Sequence, residues 1–166
     1  MTEPRHIIRD VTEADYPTLL RLNMESEHFL SPLSSPRLES LRAQAWYCRV
    51  AASDEAVQGF LLALSEGADY DSPNYQWFSR RYQKFVYIDR VVIDAAARGR
   101  HLAKRLYDDL FARARVQGFP RITCEFDTDP PNEVSRRFHE RLGFREVGAQ
   151  RVGDARKTVS LQELSL

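Results

Sequence analysis

One stretch constrains the fold more than any other: FVYIDRVVID, then AAARGRHLAKRLYDDLFARARVQGFP, then RITCEFD, residues 85–127. The first and last segments are β-branched and apolar, and each is short enough for a buried strand. Between them Leu102, Leu106 and Leu110 recur at four-residue steps, and Ala103, Tyr107 and Ala114 widen the same face. That spacing predicts a helix from about Arg98 to Gln117, stopped by Gly118 with Pro120 beyond it. Strand, helix and strand in this order make a crossover unit, so the helix must pack on a sheet that contains both strands.

The flanking sequence supplies the rest of the sheet. HIIRDV reads as a first strand. The segment TEADYPTLLRLNMES reads as a helix, with Thr12 and Asp15 spaced as a capping box. FLSPLSSP breaks it, and RLESLRAQAW follows as a short second helix. WYCRVAAS and VQGFLLALS are strands joined through SDEA. The aromatic, basic stretch EGADYDSPNYQWFSRRYQKF reads as an irregular loop. After the crossover unit, NEVSRRFHERLGF holds a shorter helix with Asn132 as cap, Gly143 as stop and Val134, Phe138 and Leu142 as its apolar stripe. FREVGAQRV and KTVSLQEL close the chain as a hairpin around Gly153 and Asp154. The expectation is a single α/β domain over residues 1–166, with a mixed, mostly antiparallel sheet of six to seven strands and about four helices.

Composition narrows the function. The 24 basic and 24 acidic residues cancel, which argues against the net basic face of a nucleic-acid-binding module. The two cysteines, Cys48 and Cys124, lie in apolar stretches and read as buried thiols; no cysteine–histidine spacing resembles a metal site. No run is long enough for a membrane span and the N-terminus has no apolar signal region, so the expected location is cytoplasmic.

The charges at the start of the crossover helix are the reverse of what a helix favours. Arg98, Arg100, His101, Lys104 and Arg105 crowd an end that already carries about half a positive charge. A bound phosphate, held by free backbone N–H groups and by these cations, removes the conflict. The turn has neither GxxxxGK[ST] nor GxGxxG, which excludes the ordinary nucleotide-binding loops.

RGRHLA, Arg98 to Ala103, resembles the R/Q-x-x-G-x-G/A pyrophosphate loop of the GCN5-related N-acetyltransferases. NEVSRRFHERLGF resembles that family's second motif, N-x-x-A/S-x-x-L/F-Y followed by a G-F end. Two positions depart from the pattern: His101 stands at a family glycine, and His139 at the family tyrosine. The resemblance implies an acyl-CoA N-acyltransferase-like fold that uses acetyl-coenzyme A as acyl donor, with an amine acceptor and no metal, and it leaves room for a homodimer. It also implies that the backbone of Val91, Val92 and Ile93 pairs with the pantetheine arm. The N–H groups of Arg98, Gly99, Arg100, His101, Leu102, Ala103 and Lys104 would hold the pyrophosphate. Asn132 would reach the pantetheine amides, and Ser135 and Phe138 would line the channel.

Acetyl transfer needs a neutral amine, and alkyl amines are largely protonated at pH 7, so a base is expected. Alternation along the fourth strand places Tyr87, Asp89 and Val91 on one face and makes Asp89 a candidate. Glu125 and Asp127 on the next strand are rivals, and a carboxylate within ITCEF is costly unless partnered. His139 is the candidate acid for the departing thiolate. It shares a helix face with Asn132 and Ser135, and the expected chemistry is transfer in a ternary complex. Cys124 is the weaker alternative, as a nucleophile in a two-step route. A non-catalytic acyl-CoA sensor on the same fold is the competing reading.

Overall fold

The computed structural model describes every residue except Met1, Glu3 and Ala155. Seven strands form one sheet: β1 (Ile7–Asp10), β2 (Tyr47–Ala52), β3 (Val57–Ser65), β4 (Val86–Ile93), β5 (Arg121–Asp129), β6 (Arg145–Val152) and β7 (Lys157–Ser165), in the order β1-β2-β3-β4-β5-β7-β6. Every neighbouring pair is antiparallel except β4–β5, the pair joined by the crossover helix. The five helices are α1 (Tyr16–Glu25), α2 (Ser35–Gln44), α3 (Pro73–Ser79), α4 (Leu102–Val116) and α5 (Glu133–Leu142).

The helices divide into two layers. Leu19 and Leu22 of α1, Leu38 and Leu41 of α2, and Tyr75 and Phe78 of α3 pack on one face of the sheet, against Phe60, Leu62, Tyr87 and Leu161. Leu102, Leu106, Leu110 and Ala114 of α4 cover the other face, against Leu61, Val86, Ile88 and Ile122, with Phe138 and Leu142 of α5 beside them. Burial of these side chains is the main driving force for the fold.

Four expectations need correction. The stretch read as an irregular loop contains α3, giving five helices where about four were expected. Ser72 caps it by accepting from the Tyr75 N–H, and Pro73 sits in its first turn. A cap residue followed by proline is a helix-start signal, and the dense aromatic and polar neighbours masked it. Second, α4 begins at Leu102 rather than near Arg98. Gly99 (φ +83°) and His101 (φ +58°) adopt left-handed backbone, which a right-handed helix cannot include. Third, Val134 is 82% exposed. The inward face of α5 is instead made by Ser135, Phe138, His139 and Leu142.

The fourth correction concerns β4. A β-bulge interrupts its pairing with β3: Leu62 faces Arg90, but the next residue, Ala63, faces Ile88. One extra residue reverses the inward–outward alternation. Tyr87 and Val92 therefore pack with the α1–α3 layer, while Val91 and Ile93 pack with the α4–α5 layer. Tyr87 and Val91 do not share a face.

Candidate active site

The parallel ladder between β4 and β5 is very short. It pairs Val86 with Ile122 and Tyr87 with Thr123, although the strands continue to Ile93 and Asp129. Beyond Tyr87 the two strands part into a wedge. From Ile88 to Ile93, β4 has a strand neighbour only on its β3 side among the described residues. Its other edge, including Val91, Val92 and Ile93, offers unpaired backbone groups to an extended ligand.

At the end of β4 the chain makes a 3-10 turn, Ala95–Ala97, and passes through residues 98–101 into α4. The Arg98 N–H, expected in the pyrophosphate loop, instead donates to the Ala95 carbonyl at 3.4 Å and closes the 3-10 turn, whereas the backbone N–H groups from Gly99 to Lys104 donate to no acceptor among the described residues. The first helical bond of α4 is Arg105 N–H to the His101 carbonyl, 3.0 Å. These donors gather at the positive end of the helix dipole, in the segment that follows the end of β4. Two of the crowded cations have partners: Lys104 pairs with Asp108 (2.6 Å) and Arg105 donates to the His6 carbonyl (2.9 Å). Arg98, Arg100 and His101 lie in the loop ahead of the helix, with side chains unpartnered among the described residues. His101 is exposed. It holds the left-handed backbone that glycine adopts more easily, a conformation that histidine tolerates better than most residues.

On the same face α5 runs alongside α4. The Tyr107 ring contacts Phe138 and His139 at centroid distances of 5.0 and 5.5 Å. Asn132 caps α5, its Oδ1 accepting from Ser135 N–H at 3.2 Å. Asn132→Ala is expected to lower stability by about 1 kcal/mol, the usual loss for a cap, read as an earlier thermal midpoint. Ser135 and Phe138 are half-buried on the inward face.

His139 is only 4% exposed. Its Nδ1 donates to the Ser135 carbonyl at 2.7 Å, so its Nε2 accepts from the Tyr107 hydroxyl at 2.8 Å. Phe126, Phe138 and Phe144 surround the ring, and burial pushes its pKa below the usual histidine range. Both nitrogens are thus spent inside the protein, and the imidazole presents no free donor to the wedge.

The carboxylates lie on the α1–α3 face. Glu125 sits just past the last β4–β5 pair and accepts from the Tyr87 hydroxyl with both oxygens, at 3.0 and 2.8 Å. Asn74 of α3 lies beside it and accepts from Gln150 of β6 at 2.8 Å. Burial drives the Glu125 carboxyl up to about 8, and the nearby charges of Asp89 and Asp127 act in the same direction against the Tyr87 and Asn74 hydrogen bonds. Asp89 is committed to an ion pair with Arg90 (2.6 Å) and accepts from the Tyr70 hydroxyl. Asp127 pairs with Lys157 at 3.1 Å. Cys124 faces the opposite layer, 2% exposed, and burial keeps its thiol protonated.

Sequence reasoning missed Tyr87 and Gln150 as members of this site. They come from β4 and β6, and no local spacing links them.

A parallel strand pair that splays at the bare N-terminus of a crossover helix defines the acyl-CoA N-acyltransferase class of α/β fold. The sequence model described as "Acetyltransferase (GNAT) family" matches residues 8–144, and the chain belongs to that family. Solved structures share the fold. Ard1 from Thermoplasma volcanium is 16% identical, with a TM-score of 0.78 over 97% of each chain. Arabidopsis thaliana Naa50, solved with the bisubstrate analogue CoA-Ac-MVNAL, is 15% identical with a TM-score of 0.74, covering 97% of this chain and 99% of that one. The acetyltransferase yncA from Salmonella typhimurium, described as putative and solved with acetyl-CoA, is 18% identical with a TM-score of 0.72, covering 98% and 94%. No curated protein sequence matches this chain.

Proposed function

We propose that this protein transfers an acetyl group from acetyl-coenzyme A to an amine, by direct attack within a ternary complex. The observation that carries the reading is the run of unpartnered backbone N–H groups from Gly99 to Lys104, in the segment that follows the end of β4. That run suits a pyrophosphate. Arg98 and Arg100 add charge around it, and the free β4 edge suits the amide groups of a pantetheine arm. The relatives solved with acetyl-CoA and with a CoA-linked bisubstrate analogue support the same donor.

In this arrangement the thioester lies where β4 and β5 part, and the acceptor approaches from the α1–α3 face. The amine nitrogen attacks the thioester carbonyl, and a backbone N–H of the free β4 edge stabilises the oxyanion that forms. Glu125, in its ionised form, takes the ammonium proton directly or through one water. The tetrahedral adduct then expels the coenzyme A thiolate. A thiolate is a weak base beside an alkoxide or an amide ion (a cysteine thiol has a pKa of about 8.5), so this leaving group can depart unprotonated and collect its proton from solvent. His139 holds α5 against α4 rather than supplying that proton. Glu125, placed where the strands part, favours the enzyme over the competing acyl-CoA sensor, which needs no proton acceptor there.

The first test is donor binding. Acetyl-CoA at about 100 times its dissociation constant is expected to stabilise the fold by about 2.7 kcal/mol, read by thermal shift and calorimetry. Gly99→Val should abolish the shift, because a β-branched side chain is strained at the Gly99 φ of +83° and displaces the N–H groups. No response to millimolar acetyl-CoA in the unmodified protein overturns the reading. A screen of alkyl amines and short peptides with free N-termini then identifies the acceptor.

A further inference from the structure

The β4 bulge turns two consecutive charged side chains, Asp89 and Arg90, toward the same layer. Both are deeply buried, with side-chain exposures of 4% and 3%. The Arg90 guanidinium spends its donors on widely separated parts of the chain. Its Nε donates to Asp89 at 2.6 Å, and its Nη1 to Asn23 Oδ1 at 2.9 Å and to the Ser31 carbonyl at 3.3 Å. Its Nη2 donates to the Ser31 hydroxyl at 3.3 Å. Asn23, at the end of α1 and 1% exposed, also donates to the Ser31 carbonyl, at 3.2 Å. Ser31 lies in the loop between α1 and α2.

The same loop has a second anchor on the other side of the wedge. Lys157, at the start of β7, donates to the His28 carbonyl at 3.2 Å and pairs with Asp127 of β5. The loop is therefore tied at Ser31 to β4 and at His28, through Lys157, to β5. Glu125 lies on β5 two residues before Asp127, on the same face. The loop thus crosses the acceptor side of the wedge. A guanidinium buried in a core strand is costly unless every donor is used, and here its fork reaches both the strand and the loop.

We infer that Arg90 is a positioning residue for the acceptor: it fixes the α1–α2 loop across the wedge and so sets the acceptor KM, without touching the reacting atoms. The inference rests on the acetyltransferase reading given above. Lysine at this position keeps the charge but cannot span Asp89, Asn23 and Ser31 together. Arg90→Lys is therefore one variant. The double variant Asn23→Ala, Ser31→Ala leaves the buried ion pair intact and removes the two side chains on the far side of the fork, which guards against a merely misfolded Arg90 variant.

Both are compared with the unmodified protein using the amine it acetylates fastest in the screen. Expected are backbone hydrogen exchange in residues 26–34 faster by about tenfold and an acceptor KM raised by about tenfold, the scale of losing hydrogen bonds to a charged group. The kcat at saturating amine and the acetyl-CoA Kd should stay within about threefold, since neither depends on the loop under this scheme. Chymotrypsin cleavage after Phe29, already 42% exposed, should quicken in parallel. Unchanged loop exchange in the folded variants overturns the inference, as does a loosened loop with an unchanged acceptor KM. An unmodified protein that neither binds acetyl-CoA nor acetylates any amine in the screen overturns the acetyltransferase reading itself, a result the loop measurements cannot mimic.

Discussion

Glu125→Gln is expected to lower acetyl transfer by about 10²-fold or more at pH 8, the usual scale for removing one proton-transfer group. The same substitution should make the protein more resistant to heat at that pH. Burial holds the Glu125 carboxyl up to about 8, far above its value in an unfolded chain. Between the two values the folded state keeps a proton that the unfolded state has released. Stability therefore falls as pH rises, by up to about 1.4 kcal/mol per pH unit, from the unfolded-state pKa near 4.3 until the folded-state pKa is passed. Glutamine cannot titrate, so it lacks this loss. Melting curves of the two proteins should diverge between pH 5 and 8 and run parallel above. In the unmodified protein kcat/KM should climb with pH toward a plateau above about 8, as the carboxylate form becomes available, and the glutamine variant should lose that dependence. A stability difference that is constant from pH 5 to 9 would mean that Glu125 is ionised throughout, and a rate unchanged in the variant would remove it from the mechanism.

The second large effect is at His139, and it is on stability. Truncation to alanine removes a ring packed among Phe126, Phe138 and Phe144 and takes away the acceptor of the buried Tyr107 hydroxyl. A cavity of this kind costs about 2–5 kcal/mol, and the orphaned hydroxyl adds about 1–3 kcal/mol. At low temperature and saturating acetyl-CoA the folded fraction should turn over within about threefold of the unmodified protein, because His139 does not reach the reacting atoms under this scheme. The alternative role, as acid for the departing thiolate, predicts a different pattern: a loss of about 10²-fold in rate with normal melting, rescued by His139→Tyr. The pH dependence also separates the two. Burial lowers the His139 pKa, so the unfolded chain gains its proton first as pH falls. The stability contribution is complete above the unfolded value near 6.5 and is lost as pH drops through the folded value. His139→Phe should therefore soften acid unfolding below about pH 6, which a purely catalytic histidine would not do.

Much of this molecule is legible in one dimension because its causes are local. The four-residue recurrence of Leu102, Leu106 and Leu110 dictates α4, and the β-branched segments beside it dictate β4 and β5. Gly118, Gly143 and Asn132 mark element ends through their own backbone preferences and hydrogen-bonding atoms. The two short motifs place the donor loop and α5 in the right order, since a pyrophosphate cradle is built from consecutive backbone groups.

The remaining features arise from contacts between distant segments. A single bulge opposite Leu62 and Ala63 reversed the alternation of β4, and it turned Asp89 and Arg90 together toward the α1–α2 loop. Period-two reasoning cannot detect one inserted residue, because the strand composition is the same with or without it. His139 occupies a motif position whose side chain was expected to face the ligand, but its environment is set by Tyr107, Phe126 and Phe144 from other elements. Glu125 differs from its rivals for the same reason. Asp89 and Asp127 meet cations from the folded chain, whereas Glu125 meets Tyr87 and Asn74, which hydrogen-bond a carboxylate without neutralising it. Periodicity fixes which face a residue takes within its own element, and the charge and solvent it meets there depend on what the rest of the chain brings to that face.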